Sequence, residues 1–470
     1  MRALAFAAFL AFTATTAAAQ TAPAPTPLPA NVARNLSALQ ANALASDMAM
    51  ETVTDLVTMV GPRPAGSEAE ARARNWGADF LRRAGFANVR IEPFTIAAWD
   101  ATREEGAITA PIQQRMVLAA LGGSASTPAG GLEAEIVRFT DMAALEAAPE
   151  SAVRGRIVFI DEPMTRTQDG SGYGAAVVKR GRCAPVAQSK GAVGCLIRSV
   201  GTDDDRFAHQ GGLSRQPEGV SLPAASIAPA DADVLARLAA RGPVRVRLNI
   251  QATFSDNAPS GNVIGEIRGR ERPEEVVLMV AHLDSWDLGQ GAIDNGAGVA
   301  IITSAARLIA ALPGQPRRTI RVVLVGSEEI GGLGGVEYAR AHGGDRYAAA
   351  AESDFGAGRV WNYRWRFGPD AQGHAQALGQ ALAPLGVVAD DSAEAGGGTD
   401  LRGINAAGVA LVDLSQDGSL YFDAHHTAND TLDRIDPEAL RQNVAAYATF
   451  AYLAADTDWV FAAPANEAPR

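Results

Sequence analysis

Acidic and imidazole side chains follow four predicted strands, at the point where each strand ends. His282 and Asp284 come directly after an apolar strand predicted at residues 275–281, and Asp294 lies twelve residues after His282. The series continues with Glu328-Glu329 after a strand at 319–325, Asp354 after a strand at 348–353, and His425-His426 with Asp430-Thr431 after a strand at 409–414. Because ligands bind outside the carboxyl ends of parallel strands, we expect these side chains to line one rim of a sheet.

Four carboxylates on one rim, from Asp294, Glu328, Glu329 and Asp354, would repel one another and raise one another's pKa. Divalent metal ions remove this conflict, and imidazole plus carboxylate ligands suit zinc, with manganese or cobalt as alternatives. One such residue alone is more often a helix cap or a solvated charge. Three of the six histidines in the chain fall in these motifs, however. The pattern therefore predicts a metal site, and two metal ions bridged by one carboxylate are a known hydrolytic device.

The sequence offers no competing nucleophile motif. It contains neither a Gly-x-Ser-x-Gly nor a His-Glu-x-x-His pattern, which are typical of serine hydrolases and of single-zinc proteases. A purely structural metal site is an alternative, but the Glu328-Glu329 pair leaves one carboxylate free for proton transfer. Hydrolysis by a metal-activated water is the chemistry that the pattern favours.

The motifs resemble, in chain order, those of the co-catalytic di-zinc exopeptidases, a family that includes bacterial leucyl aminopeptidases and glutamate carboxypeptidases. The matching segments are His282-Leu283-Asp284, Asp294-Asn295-Gly296, Glu328-Glu329, Asp354 and His426-Thr427-x-x-Asp430-Thr431. Within that family, residues 282–292, Glu352-Ser353-Asp354 and Phe422-x-x-His425-His426 resemble the carboxypeptidase Q subfamily. The resemblance extends from about Gly61 to the C-terminal helix.

The resemblance implies a role for each of these residues and two Zn²⁺ ions per chain. Asp294 is expected to bridge both metals, with His282 and Asp354 completing one metal site, and with Glu329 and His426 completing the other. Glu328 is the expected general base, and Asp284 is expected to hold the second ring nitrogen of His282. The spacing to Asp430 selects His426, and not the adjacent His425, as the ligand.

The resemblance also implies a class of substrate, and two alternative functions compete with it. It favours hydrolysis of dipeptides or short peptides by an enzyme of carboxypeptidase or dipeptidase type. An aminopeptidase with the same metal site is one alternative, and a non-catalytic, receptor-like binding protein that has lost metal ligands is another. A homodimer is a further implication. Thr399-Asp400, after three glycines, either lines the cleft or forms an ordinary turn.

The predicted elements that must position these residues alternate between strand and helix from residue 262 onward. Helices are predicted at 295–312, 335–341, 372–385 and 437–454, between the strands that precede the motifs. This alternation predicts an α/β fold with a mostly parallel mixed sheet covered by helices. Before it, helical spacing covers 31–60 and 68–84, and a β-rich piece covers 89–96.

Residues 107–254 differ in character and are predicted to form an inserted β-rich domain that resembles a protease-associated domain. Strands are expected at 156–160, 191–197, 222–227 and 245–250, with short helices at 184–190 and 235–241. The predicted division of the chain is therefore a signal peptide at 1–19, a leader or propeptide at 20–47, peptidase parts at 48–106 and 255–470, and the insertion at 107–254.

The first nineteen residues combine a basic start, an apolar run and Ala17-Ala18-Ala19, as in a secretory signal peptide cleaved before Gln20. We therefore expect a soluble protein that is secreted or periplasmic and not held in a membrane. The net charge of −12 argues against nucleic acid as a partner. Cys183 and Cys195 either form a disulfide or remain two buried thiols, because an oxidising compartment permits both.

Overall fold

The computed structural model describes residues 24–213 and 221–461. The predicted signal peptide lies outside the described residues. The helices are α1 Ala30–Ala45, α2 Met48–Met59, α3 Glu68–Arg83, α4 Met142–Ala147, α5 Glu150–Val153, α6 Ser171–Ala176, α7 Val178–Ser189, α8 Pro229–Ala239, α9 Ala297–Ala310, α10 Leu333–His342, α11 Gln372–Leu382, α12 Arg402–Ala406 and α13 Pro437–Asp456. The strands are β1 Ala87–Ala110, β2 Gln114–Met116, β3 Leu118–Ala120, β4 Leu132–Phe139, β5 Ile157–Ile160, β6 Gly194–Arg198, β7 Ala224–Ile227, β8 Arg245–Ile267, β9 Arg272–His282, β10 Arg318–Val325, β11 Arg346–Glu352, β12 Val360–Arg366, β13 Val388–Ala389 and β14 Leu411–Gln416.

The strands join side by side in the order β13-β12-β14-β11-β9-β10-β8-β4-β5-β6-β7-β3, with β1 pairing on β8. Strands β14, β11, β9 and β10 are mutually parallel, whereas β12 and β8 run antiparallel at either side of them. Near-continuous apolar runs such as those in β9 and β10 are typical of parallel strands buried on both faces. The predicted mixed α/β sheet covered by helices is confirmed by this arrangement.

Helices α9 and α13 cover one face of the parallel strands, and α9 is buried along most of its length. Helix α1 packs on α13, where Asn35 bonds the hydroxyl of Tyr452 at 3.1 Å and Gln40 bonds Thr449 at 3.0 Å. The predicted leader thus includes a helix with a buried face. The helical pattern at 31–60 is two helices, because the chain is extended at Ser46, whose hydroxyl accepts the backbone N–H of Met48.

The region predicted as an insertion has a sheet and a core of its own. Strands β4 to β7 are parallel neighbours, and β3 closes the edge beside β7. Its core includes Ile157, Phe159 and Leu196, all fully buried. Helix α7 begins six residues before the predicted one, because basic side chains at 179–182 hide its periodicity. A disulfide joins Cys183 on α7 to Cys195 on β6.

Strands β1 and β8 form a long antiparallel ribbon that connects this region to the rest of the chain. They pair continuously from Ala87 opposite Glu266 to Ala110 opposite Arg245, with several bulges. The predicted boundaries at 107 and 254 therefore fall inside continuous strands. The predicted strands at 89–96 and 245–250 are parts of this ribbon, and the rest was not predicted because the middle of the ribbon is partly exposed, as Phe254 illustrates with 62% exposure. Within the described residues, no helix has the length and apolar character needed to cross a bilayer.

Candidate metal centre

The candidate residues converge at the carboxyl ends of the parallel strands. His282 is the last residue of β9 and lies beside Val325, the last residue of β10, in the parallel register. Glu328 and Glu329 follow β10, Asp354 follows β11, and His425 and His426 follow β14. Asp294 reaches the same place from the turn that leads into α9. All of the ligands predicted from the sequence are brought to one rim.

Asp294 lies between two histidine–carboxylate pairs. Its Oδ1 is 3.1 Å from His282 Nε2, which is also 3.1 Å from Asp354 Oδ1. Its Oδ2 is 3.1 Å from His426 Nε2, which in turn is 3.0 Å from Glu329 Oε2. Each oxygen of this one carboxylate therefore faces a different imidazole, which is the arrangement that a carboxylate bridging two metal ions requires.

Buried carboxylate oxygens that accept no hydrogen bond indicate whether a cation fits here, because a cation would neutralise them. Asp294 Oδ2 and Glu329 Oε1 are buried and have no hydrogen-bond partner among the described residues. The nearest imidazole nitrogen to both carboxylates is His426 Nε2, which lies within 3.1 Å of Asp294 Oδ2 and of Glu329 Oε2. Unpaired buried carboxylate oxygens are strongly unfavourable. The donor set of imidazole nitrogens and carboxylate oxygens fits a divalent cation such as zinc.

His425 is a third imidazole in the cluster. Its ring stacks on His426 with centroids 3.6 Å apart, and its Nε2 is 3.4 Å from Asp294 Oδ2. Burial lowers the pKa of His425 well below its usual value, and the neighbouring His426 and Arg180 cations act in the same direction. Among the carboxylates of the cluster, His426 contacts both Asp294 and Glu329, whereas His425 contacts Asp294. The geometry therefore favours His426 as the ligand.

Glu328 lies beside the His282 and Asp354 pair, close enough for one oxygen to share an ion with them. Burial raises the pKa of Glu328 well above its usual value, and the carboxylates of Asp354, Asp400 and Glu329 raise it further against the effect of His282. A carboxyl group whose pKa is raised toward neutrality is suited to take up and release a proton. Glu328 is thus a buried carboxyl group with a raised pKa next to the cluster.

Asp284 holds the loop that carries the two glutamates. Its Oδ1 accepts the backbone N–H of Glu328 at 3.0 Å, and its Oδ2 accepts that of Glu329 at 3.2 Å. The contact of Asp284 with His282 Nδ1 is through its backbone carbonyl at 3.0 Å, because its carboxylate oxygen is 3.7 Å away. Asp284 therefore fixes the imidazole with its backbone and the Glu328-Glu329 loop with its side chain.

Comparison with known proteins identifies the family. The profile of peptidase family M28 matches residues 262–451. Carboxypeptidase Q of Bos taurus is 33% identical over 91% of this chain and 89% of its own, and carboxypeptidase Q of Mus musculus is 34% identical over 86% and 84%. The chain belongs to peptidase family M28. The resemblance predicted from the motifs is confirmed, and this M28 chain is a metallopeptidase.

Solved structures agree with this assignment. The crystal structure of a peptidase M28 precursor from Shewanella amazonensis is 44% identical, covers 92% of this chain and 99% of its own, and superimposes with a TM-score of 0.90. The zinc aminopeptidase BSAP from Bacillus subtilis has a TM-score of 0.66 at 21% identity, covering 88% and 97%, a likeness of fold. The M28 chain therefore shares the mixed α/β fold of these proteins.

Two buried residues of the M28 chain hold the turn that carries Asp294, and the sequence motifs predicted a role for neither of them. Asp430 accepts the backbone N–H groups of Ala292 and Ile293, both at 2.7 Å, and burial raises its pKa to about 7. Arg63 is fully buried and donates to the carbonyls of Gln290 and Gly291 at 2.9 and 2.7 Å. Asp430 stood within a recognised motif, but Arg63 gave no signal because the carbonyls of Gln290 and Gly291 that it binds are more than 220 residues away in the sequence.

The segment at Thr399-Asp400 lies against the M28 cluster. The Glu352 carboxylate accepts the backbone N–H groups of Thr399, Asp400 and Leu401 at 2.9 to 3.0 Å. Asp400 is buried, its carboxylate has no hydrogen-bond partner among the described residues, and burial raises its pKa to about 8. The segment is held by Glu352 next to the metal ligands and is not an ordinary solvated turn.

The inserted region of the M28 chain contacts the loop that carries the histidines. The backbone N–H of Gln210 donates to the carbonyl of His426 at 2.9 Å, and Nδ1 of His209 lies 2.7 Å from the carbonyl of His425. The backbone N–H of Thr202 bonds the carbonyl of Phe422 at 3.1 Å. These contacts fix the insertion directly over the candidate metal centre.

Proposed function

We propose that this M28 chain is a secreted, two-zinc exopeptidase that hydrolyses dipeptides or short peptides. The observation that carries the proposal is the Asp294 carboxylate, whose two oxygens lie 3.1 Å from His282 and His426 respectively. In the proposal, His282 and Asp354 hold one ion, Glu329 and His426 hold the other, and Asp294 holds both. Zinc is favoured by the donor set, and another divalent metal would fit the same ligands.

Metal ions bound to these residues would supply Lewis-acid chemistry, which acidifies water and polarises a peptide carbonyl. The proton transfers belong to Glu328 in the proposal. One oxygen of its carboxylate takes the proton of the attacking water, and the same carboxyl group returns that proton to the leaving amine. The raised pKa of Glu328, which burial causes first, supports this role because it strengthens the carboxylate as a base.

The other groups of the site orient these residues. The two carboxylate oxygens of Asp284 receive the backbone N–H groups of Glu328 and Glu329, so the base and a ligand move together. The carbonyl of Asp284 faces His282 Nδ1 and would accept a proton-bearing Nδ1, so that Nε2 would be the nitrogen that holds an ion. Asp430 and Arg63 keep the Asp294 turn in place from the opposite side.

The carboxypeptidase or dipeptidase assignment rests on the relatives. Carboxypeptidase Q matches over most of the chain at about one-third identity, whereas leucine aminopeptidase 2 of Arthroderma otae is 27% identical over 56% of the chain. An aminopeptidase with the same metal site is the alternative within this class. The receptor-like alternative loses its support, because every expected ligand and the base lie in the cluster.

Secretion is proposed from the sequence of the first nineteen residues and is supported by the disulfide between Cys183 and Cys195. Disulfides persist in extracellular and periplasmic compartments and are rare in the cytosol. The insertion, which we propose to be a protease-associated domain, would cover the cleft and limit it to short peptides. A homodimer without nucleic acid or membrane partners remains part of the proposal.

Metal content and dipeptide hydrolysis of the wild type and of Glu328→Gln test this function. We expect about two zinc ions per chain in both proteins, and a loss of kcat of at least about a hundredfold in the variant. Glu337→Gln, on the surface of α10 beside Arg340, is the matched control and should keep wild-type activity. Wild-type hydrolysis by Glu328→Gln would exclude Glu328 as the base, and a metal-free, inactive wild type would refute the enzyme.

A further inference from the structure

Ser327, the residue before the two glutamates, has a backbone conformation that residues other than glycine rarely adopt. Its φ is 63°, in the left-handed region, and the residue is fully buried. A residue with a Cβ is destabilised in this conformation, whereas glycine is not. Directly after Ser327, the backbone N–H groups of Glu328 and Glu329 both donate to Asp284. A contact that keeps Ser327 in this conformation therefore also fixes the direction in which the chain carries Glu328.

The hydroxyl of Ser327 is the end of a buried chain of hydrogen bonds that begins on α3. Ser260 Oγ lies 2.8 Å from Ser327 Oγ and donates to Glu70 Oε1 at 2.5 Å. A hydroxyl group has one hydrogen to donate, and an ionised carboxylate only accepts. Ser260 therefore donates its hydrogen to Glu70 and accepts the hydrogen of Ser327. The carboxylate at one end of the chain sets the direction of both bonds.

Glu70 is held firmly at its end of the chain. Its carboxylate is fully buried, and Oε2 accepts the backbone N–H of Gly66 at 2.7 Å and lies 2.8 Å from Arg74 Nη1. Burial raises the pKa of Glu70, whereas Ser260, Arg74 and Gly66 oppose this rise by favouring the ionised form. A Cβ on Gly326 would lie 2.6 Å from Glu70 Oε1. Glycine at this position thus lets the carboxylate approach the loop that carries Ser327.

We propose that the Glu70–Ser260 pair keeps Ser327 in its left-handed conformation. Ser327 thereby positions Glu328 for proton transfer, and all three are positioning residues. The inference rests on the proposed function, in which Glu328 is the base, and deepens it by showing what orients that base. Asp284 binds the backbone after the turn, and Ser260 binds the side chain at the turn. The loop is then fixed at two successive points.

Two substitutions of Ser327 separate this positioning role from packing. Ser327→Ala loses the hydrogen bond and keeps the unfavourable conformation, so kcat for the neutral dipeptide alanyl-leucine should fall about tenfold with KM unchanged. Ser327→Gly loses the bond but adopts the conformation freely, so its kcat should fall only about threefold. Loss of packing alone predicts the reverse order, because glycine leaves the larger cavity. Steady-state kinetics of the zinc-loaded full chain provide the measurement.

Substitutions at the other end of the chain test the same bond. Ser260→Ala should lower kcat about tenfold and keep the wild-type zinc content. In the double variant Ser260→Ala/Ser327→Gly, kcat should match that of Ser327→Gly, because a glycine needs no hydroxyl to hold it. Glu70→Gln keeps an acceptor oxygen for Ser260 and should retain more activity than Glu70→Ala. Thr449→Val is the control, since it removes a buried hydroxyl on α13 that bonds the carbonyl of Ala445, and it should keep the wild-type kcat.

The outcomes separate this inference from the proposed function. If the wild type is active and Glu328→Gln is not, a wild-type kcat in Ser260→Ala overturns the inference alone. A lower kcat in Ser327→Gly than in Ser327→Ala also overturns it, because packing then decides, and this comparison holds even where Ser260→Ala does not fold. A wild type that hydrolyses no dipeptide refutes the proposed function, and the inference with it.

Discussion

At the scale of single residues, the site depends on which groups hold Asp294 in place. The carboxylate bridges two imidazoles only because the turn before α9 presents it from a fixed backbone, and Asp430 receives three N–H groups of that turn, including that of Asp294 at 3.3 Å. Residues that orient a metal ligand from behind commonly affect metal affinity nearly as much as the ligand does. Asp430 therefore orients a candidate metal ligand through the backbone of the turn that carries it.

Replacing this acceptor should loosen the bridge. We expect Asp430→Asn to weaken zinc binding about tenfold to a hundredfold, since an amide retains one acceptor oxygen and presents donors to backbone donors. Competition with a chromogenic chelator measures the affinity. Asp433→Asn is the control, because Asp433 is exposed and bonds only Thr431 nearby. An unchanged zinc affinity in Asp430→Asn would show that the turn before α9 keeps its conformation without the Asp430 carboxylate.

Residue spacing in the sequence predicted which side chains would meet, but not which backbone atoms they would hold. His282, Asp294, Glu329, Asp354 and His426 follow strand ends, and this regularity is visible in one dimension. Arg63 is different, since it binds the carbonyl oxygens of Gln290 and Gly291. Contacts of this kind depend on how distant segments pack, so no local pattern announces them.

At the scale of elements, the parallel strands were predictable, whereas only two short pieces of the β1–β8 ribbon were, at 89–96 and 245–250. The later parts of β9 and β10, residues 276–281 and 322–325, are buried on both faces and are unbroken apolar runs. The ribbon carries charged residues on both faces, and β12 was missed because its aromatic and basic residues alternate without a clear apolar side. The ribbon is defined by pairing between residues that lie 135 to 179 positions apart in the sequence.

Glu104 makes the ribbon sensitive to pH. Burial raises its pKa to about 7, although the backbone N–H of Ala120 donates to it at 2.7 Å. Between pH 4.5, the usual pKa of this carboxyl group, and pH about 7, the folded chain holds a proton that the unfolded chain has released. The free energy of unfolding therefore falls as the pH rises through this window. Glu104→Gln keeps an acceptor for Ala120 and has no charge to bury. We expect the variant to exceed the wild type by about 2 kcal/mol at pH 8 and to match it near pH 4.5.

Urea unfolding of the zinc-loaded proteins at the two pH values measures this difference. Glu105→Gln serves as the control, because Glu105 is exposed and bonds the side chain of Asn249. Its stability relative to the wild type should not change between pH 4.5 and pH 8. A Glu104→Gln advantage of equal size at both pH values would mean that packing, and not ionisation, is responsible.

At the scale of the whole molecule, the insertion and the peptidase sheet meet at the metal-ligand loop. The histidine loop bonds the turn before α9 through Asp430 and bonds Thr202, His209 and Gln210 of the insertion. The fold class could be predicted from alternating strands and helices, but this closure could not, because it depends on the path of the ribbon. We therefore expect the metal site and the interface between the insertion and the peptidase sheet to lose their structure together.

Removal of the metal should lower the stability of the entire chain. Without cations, four buried carboxylates repel one another, those of Asp294, Glu328, Glu329 and Asp354. In addition, a ligand that binds only the folded state stabilises that state by about 4 kcal/mol when its concentration is a thousand times its Kd. We expect chelation with EDTA to lower the thermal transition by several degrees and zinc to restore it, saturating at about two equivalents per chain. Asp294→Asn should show little zinc-dependent shift, since it loses the shared ligand. Calorimetry with and without zinc provides the measurement, and an identical transition in both conditions would mean that the cluster holds its charges without a metal.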